Sequence, residues 1–429
     1  MEILSLLNNT VGIPLYGQTY DIALNWIGTL IRGLIVTVGS VGVGIILFSI
    51  ILKVIVLPFD VYQRIAMRKQ NIKMKENQSK MEKLQKQYAN DKEKYNQKVM
   101  EMYKESGISM FSSCLPMILS MIIFIVAINA FNAYSQYANV ENYNTMVNAY
   151  NSELKTVCES LDEEVWTFDE EENDYILNID KLYEKHPEIK TAVNEAMTAD
   201  ETITEQSAIT KYFESKAQDA VVAVYDAEVF GHTSFLWIKN IWATDASYKH
   251  PVLEFSEFKA EVERQKFQVG DTNKNFAGVA EYTDVYDVEA YNKITAKLTT
   301  QKSQANGYYI LVVLSIGTIL LQQWVSMRGQ KEQQKYSSVD GQGAAQQKMT
   351  MVIMTGMFAI FSFMYSSAFS IYMIMSNVLS LLSTLIINKL VDISESKKEE
   401  KAMQEKYNKR FPNRVATTNG KKADKKDKK

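Results

Sequence analysis

The sequence predicts an all-α polytopic membrane protein: five transmembrane helices, a cytoplasmic helical hairpin and a soluble, mainly helical extracellular domain. Three observations predict it. The 429 residues average 46% hydrophobic and 23% charged, yet the apolar ones gather in a few runs of about twenty. About twenty residues cross a ~30 Å hydrocarbon core at 1.5 Å per residue. Basic and acidic residues are segregated along the chain, and an odd number of spans puts every basic connection on one side.

The elements follow in order. Residues 1–37 read as an extracellular N-terminal segment. It ends in an interfacial helix at 22–37, where Trp26 and Arg32 interrupt apolar positions at helical spacing. Residues 1–20 contain Glu2 but no Lys or Arg, so no cleavable signal peptide is expected. Span one is 38–57, closed by Pro58, which cannot donate to the helical ladder. Residues 58–110 carry 12 Lys/Arg against 7 Asp/Glu. Apolar positions at Ile65, Ile72, Met81, Leu84 and Tyr88, then Tyr95, Val99 and Met102 beyond an Asn90-Asp91 turn, predict an antiparallel hairpin with a thin seam.

Span two is 111–134. Residues 135–305 hold 32 Asp/Glu and 15 Lys/Arg with no span-length apolar run, which predicts an acidic soluble domain. It is expected to be mainly helical, with irregular or β content around 251–290. Span three is 306–326, a polar loop fills 327–348, and spans four (349–366) and five (369–389) form a tight hairpin about Ser366-Ser367-Ala368. The tail, 390–429, is basic and ends KKADKKDKK, with disorder expected beyond about residue 412. The positive-inside bias makes the hairpin, the 327–348 loop and the tail cytoplasmic, and leaves the N-terminus and the acidic domain outside.

No enzyme chemistry, cofactor or metal is expected. His186, His232 and His250 lack ligand spacing, and there is no phosphate-cradling glycine loop or nucleophile elbow. The two cysteines, Cys114 and Cys158, fall on opposite sides of the expected membrane, which precludes pairing between them.

Lys53 stands out inside the first apolar run. A charge at mid-span costs about 2.5–3.5 kcal/mol, so a lysine there either snorkels to the headgroups or faces a wet cavity. Ser49 lies one turn before it, Gln322 and Gln323 sit near the same end of span three, and Tyr372 and Ser376 are one turn apart in span five. Together these form a candidate substrate groove. Lys53 is the one intramembrane charge of the expected spans, with no acidic partner among them.

The stretches ILKVIVLPF (51–59), YKESGIS (103–109), CLPMILSMIIF (114–124), FLWIKNIW (235–242), YYILVVLSIGTILLQQW (308–324) and IYMIMSN (371–377) occur in the order seen in YidC-type membrane protein insertases, the Oxa/Alb superfamily. The chain resembles that family over its spans and hairpin, though not over most of 135–305. The resemblance implies a five-helix core in a bacterial cell membrane, enclosing a hydrophilic groove open to cytoplasm and lipid. It places Lys53 where relatives carry a groove arginine, with Ser49, Gln322, Gln323 and Tyr372 facing the groove. It implies nascent membrane proteins as substrates, the bilayer as their destination, the ribosome as a partner of the basic tail, and action alone or with the Sec translocon. No sequence-specific nucleic acid binding is implied.

The chain departs from the pattern in having Lys53 for arginine, Met373 after Tyr372, Ser366-Ser367-Ala368 at the last turn and Ser120 in span two. A long acidic stretch also separates Trp237 from Gly307. A transporter or channel, and a scaffold anchoring the acidic domain, are the rival classes. Against the first stands the lack of paired inverted repeats. Against the second stand Lys53 and the basic hairpin, which a scaffold does not require.

Overall fold

Long helices carry the chain through two compact units, seen in a computed structural model that describes residues 9–107, 110–329 and 342–410. The helices used below are α1 (Trp26–Val38), α2 (Val41–Gln87), α3 (Lys92–Glu105), α4 (Met110–Glu159), α5 (Ile179–Lys185), α6 (Pro187–Ala199), α7 (Glu205–Val224), α8 (Phe255–Val262), α9 (Val288–Ile294), α10 (Ile310–Gly329), α11 (Gln342–Met364) and α12 (Ser367–Arg410). Among the described residues, Val41–Gln63, Ile310–Arg328 and Ser367–Leu390 are helical stretches long and apolar enough to cross a membrane, while Met351–Met364 is a shorter apolar helix. The expected second span lies within α4, whose side chains over 110–121 fall outside the described residues.

The first unit comprises Met1–Ser49, Ile123–Gly317 and Gly356–Ile374. Its apolar end is an aromatic cluster. Phe131 packs edge-on against Phe48 at 5.5 Å and beside Tyr372 at 5.2 Å, and Phe124 meets Phe358 at 4.6 Å. Such ring pairs add to the transfer energy of burial because edge and face carry opposite partial charge.

The remainder of this unit is built on the continuation of α4 beyond residue 134. Tyr143, Val147, Tyr150, Leu154 and Cys158 recur every three or four residues and are all nearly inaccessible, one apolar stripe along a helix whose other face is polar. Strands β1 (Thr10–Pro14), β2 (Trp166–Asp169) and β3 (Asp174–Asn178) form an antiparallel sheet in the order β1-β3-β2, with Thr10 opposite Asn178 and Trp166 opposite Leu177. Strands β4 (Lys266–Val269) and β5 (Thr272–Asn275) pair as a hairpin inside the 251–290 window expected to hold β structure. The three-stranded sheet is unanticipated. Its strands are four or five residues long, and one comes from the N-terminal segment, so no local periodicity announces it.

The second unit comprises Ile50–Ile122, Thr318–Thr355 and Met375–Lys429. In it α2 runs unbroken to Gln87, so Pro58 lies inside the helix and does not end it. Proline removes one backbone bond from the ladder. The Lys53–Asp60 ion pair described below spans the turns on either side of Pro58.

The hairpin turns at residues 88–91. Asp91 caps α3 by accepting from the Lys94 N–H at 3.0 Å. Its seam differs from the expected one: Met74, Met81 and Met102 are buried, whereas Ile65 and Ile72 are exposed. These two precede the point where α3 returns, so nothing on α3 reaches them. The Tyr103 hydroxyl donates to the Met81 sulfur at 3.3 Å, and the Asn77 amide donates to the Ser106 hydroxyl at 2.7 Å. Helix α12 extends far past residue 389, to Arg410; the disorder expected beyond 412 falls outside the described residues.

Candidate functional site

Lys53 is the centre of the candidate site. Its ammonium donates to Asp60 Oδ2 at 2.6 Å and to Ser380 Oγ on α12 at 3.0 Å. The two charged side chains keep 14% and 22% of their surface, so the pair is mostly but not wholly withdrawn from water. Seven residues are about two helical turns, roughly 10 Å of rise, so Asp60 lies on the same face of α2 within reach of a four-carbon stem. The expectation that Lys53 has no acidic partner is therefore corrected. Pro58, which signals a helix end between the two residues, hides Asp60 from a local reading of the sequence.

The other expected residues are placed as follows. Gln323 is half-buried and its side-chain carbonyl accepts from the Thr355 hydroxyl of α11 at 2.8 Å. Gln322 is half-buried beside it on α10, and Ser376 half-buried on α12. Asn377 donates to the Thr318 hydroxyl at 3.4 Å. The second unit thus holds Lys53, Asp60, Gln322, Gln323, Thr355 and Ser380, polar groups contributed by α2, α10, α11 and α12. Ser49 and Tyr372 belong to the first unit. Ser49 is buried and returns its hydroxyl to the Ile45 carbonyl at 2.8 Å, a bond that closes on its own helix. Tyr372 is buried with its ring against Phe131 and Phe369.

The first unit contains a second constellation, and its signal was the FLWIKNIW stretch. Residues 235–245 meet the starts of three long helices and the middle of a fourth, α4. A Cβ on Gly42 of α2 would lie 2.1 Å from the Phe235 ring, so only glycine fits there. Ser135 of α4 donates to the Trp242 carbonyl at 2.6 Å. Both the backbone N–H and the hydroxyl of Ser367 donate to the Ala243 carbonyl, at 2.9 and 2.8 Å, and the Ala368 N–H donates to the Ile241 carbonyl at 2.9 Å. Asp245 receives the start of α10: the N–H groups of Tyr308 and Tyr309 donate to its Oδ1 at 2.7 and 3.1 Å, and that of Leu311 to its Oδ2 at 2.6 Å. Helix starts leave N–H groups without intrahelical partners. One short segment supplies those partners to α10 and α12 together, and its carboxylate also complements the positive end of the α10 dipole.

Comparison with known proteins was consistent with this architecture. A family model described as "60Kd inner membrane protein" matches residues 34–199 and 220–396. The match reaches well into the stretch that the motif resemblance leaves uncovered. The "Membrane protein insertase YidC" of Caldanaerobacter subterraneus subsp. tengcongensis is 39% identical over 98 residues, which is 23% of this chain and 46% of that protein. The protein of the same name from Fusobacterium nucleatum is 37% identical over 84 residues, 20% of this chain and 39% of its own length. That of Haemophilus influenzae is 34% identical over 112 residues, 26% of this chain and 19% of the relative. The aligned stretch thus spans less than half the length of each of these relatives. The family model, by contrast, covers most of the chain, which is a member of the 60Kd inner membrane protein family, the YidC/Oxa group that its ordered motifs resemble.

Proposed function

We propose that this chain is a membrane protein insertase. It passes polar flanks of nascent membrane proteins through a hydrophilic groove and releases their helices into the bilayer, alone or with the Sec translocon. The observation that carries the reading is a mostly buried lysine paired with Asp60 of its own helix and Ser380 of α12, in a chain belonging to a family whose relatives are named insertases. The proposed topology has five spans (38–57, 111–134, 306–326, 349–366 and 369–389) in a bacterial cell membrane. The N-terminus and residues 135–305 lie outside, and the hairpin 58–110, the loop 327–348 and the tail 390–429 lie in the cytoplasm. The basic tail meets the ribosome and the hairpin receives substrate.

Moving charge through hydrocarbon is the costly step of insertion, and a hydrated groove shortens the distance over which it is paid. Lys53 holds an acidic flank, and Gln322 and Gln323 hydrogen-bond its polar backbone. Ser49 and Tyr372 join the lining on the family resemblance alone. The membrane potential, positive outside, then draws the acidic flank across with about 2.3 kcal/mol per charge per 100 mV. Burial of the substrate's apolar helix in lipid completes the reaction without hydrolysis.

The Lys53–Asp60 pair removes one sequence argument against a transporter, the missing acidic partner. Family membership and the absence of paired inverted repeats continue to favour the insertase. The test is rescue of a bacterial strain depleted of its own insertase. Expression of this chain in the membrane is expected to restore growth and insertion of single-span substrates. A membrane-resident chain that restores neither refutes the reading.

A further inference from the structure

We infer that Asp60 is an internal competitor for Lys53 and thereby sets which substrate flanks the site accepts, an inference that rests on the insertase reading above. The observation is the 2.6 Å ion pair between side chains two turns apart on one helix, with Ser380 Oγ 3.0 Å from the same ammonium. A lysine ammonium has three donors and no acceptor. Asp60 and Ser380 engage two of them in the resting protein. The site therefore presents a nearly neutral pair to an arriving chain, where a bare lysine would present a full positive charge.

Three consequences follow from the chemistry. An acidic flank must exchange with Asp60, so its effective affinity falls by the fraction of time Lys53 is paired. Because Asp60 is tethered to the same helix, its local concentration is fixed and high, and a single weakly placed carboxylate competes poorly where several compete well. When the flank moves on, Asp60 recaptures the ammonium, which spares the protein an unpaired, partly desolvated charge and speeds release. Pro58, between the partners, removes one backbone bond of the helix there.

The test uses the full chain in membrane vesicles. Stalled single-span nascent chains carry zero, one or three aspartates in the N-terminal flank, with a photo-crosslinker beside them. Asp60→Asn keeps the shape and one acceptor but removes the competing charge. It is expected to raise crosslinking of the one-aspartate flank about fivefold, to raise the three-aspartate flank much less, and to slow loss of the crosslinkable complex after chain release. Asp60→Glu keeps the charge and is expected to retain wild-type discrimination, which also shows that the position tolerates substitution.

If Asp60 only neutralises Lys53 for folding, Asp60→Asn lowers all three flanks alike, and the inference is overturned. Equal discrimination in wild type and Asp60→Asn overturns it too, while normal wild-type crosslinking leaves the insertase reading standing. If wild type crosslinks no flank and inserts nothing, both fall together.

Discussion

Replacing Asp245 isolates the energetic role of the 235–245 segment. The residue is buried, and its two carboxylate oxygens accept three N–H groups at the start of α10, at 2.7, 3.1 and 2.6 Å. Asp245→Ala removes all three bonds. Loss of a helix N-cap costs about 0.5–2 kcal/mol. The Leu311 N–H, buried beside it, is then left without that partner, adding about 1–3 kcal/mol. The sum is about 3 kcal/mol.

Asp245→Asn keeps one acceptor but turns an NH₂ toward N–H groups on the other side, so it is expected to cost about half as much. For a unit of this size 1 kcal/mol corresponds to about 2–4 °C, so the alanine variant should melt about 6–12 °C lower. The assay is thermal unfolding of the detergent-purified protein followed by tryptophan fluorescence, since Trp237 and Trp242 sit in the segment itself. The expected order is wild type, Asn, Ala. An alanine variant melting within 1 °C of wild type refutes the claim that this carboxylate holds the α10 start.

Other consequences follow from the same structure. Burial pushes the Glu261 carboxyl up to about 8, against an ordinary value of 4.5, and its Oε2 is buried without a partner. Because the folded value lies above the unfolded one, its stabilising contribution is complete below pH 4.5 and is lost as pH rises through 8. Glu261→Gln should flatten that loss, worth about 3–5 kcal/mol, in denaturation measured at pH 5 and pH 9. Gly307→Ala would bring a Cβ to 2.0 Å from Asp245 Oδ1, so it should reproduce most of the Asp245→Ala destabilisation in the same melting assay, and combining the two should cost less than their sum. Trimming the acidic domain should spare insertion only if Asp245 stays. A deletion of residues 245–300 should fail complementation by losing the cap, whereas one of 254–300 that keeps residues 235–246 should complement.

The helical class was legible because apolar runs of span length and the basic–acidic segregation are properties of composition over long windows. Lys53 was legible because a charge in such a run is rare. Asp60 was not, since Pro58 between them reads as a helix end in any local rule, and only the continuous α2 shows that i and i+7 share a face. Ser380 and Thr355 were equally silent: a hydroxyl in an apolar helix commonly bonds its own backbone, as Ser49 does to Ile45, and its cross-helix partner depends on packing. The FLWIKNIW stretch carried a signal without its reason. Its sequence shows only a family resemblance, whereas the carbonyls of Ile241 and Ala243 and the carboxylate of Asp245, at and just beyond its end, serve as acceptors for two helix starts. The β1-β3 pairing joins residues 10–14 to 174–178, a separation no sequence window spans.

The central claim is that the charge on Lys53 holds acidic flanks for passage across a membrane. Its direct measurement is protease protection of a single-span, acidic-flank substrate added to liposomes containing only the purified chain, under an imposed potential. Wild type and Lys53→Arg are expected to protect the flank, Lys53→Ala to protect about a tenth as much, in line with loss of about 1.4 kcal/mol, and Lys53→Glu none. Protection by Lys53→Glu equal to wild type would contradict the account.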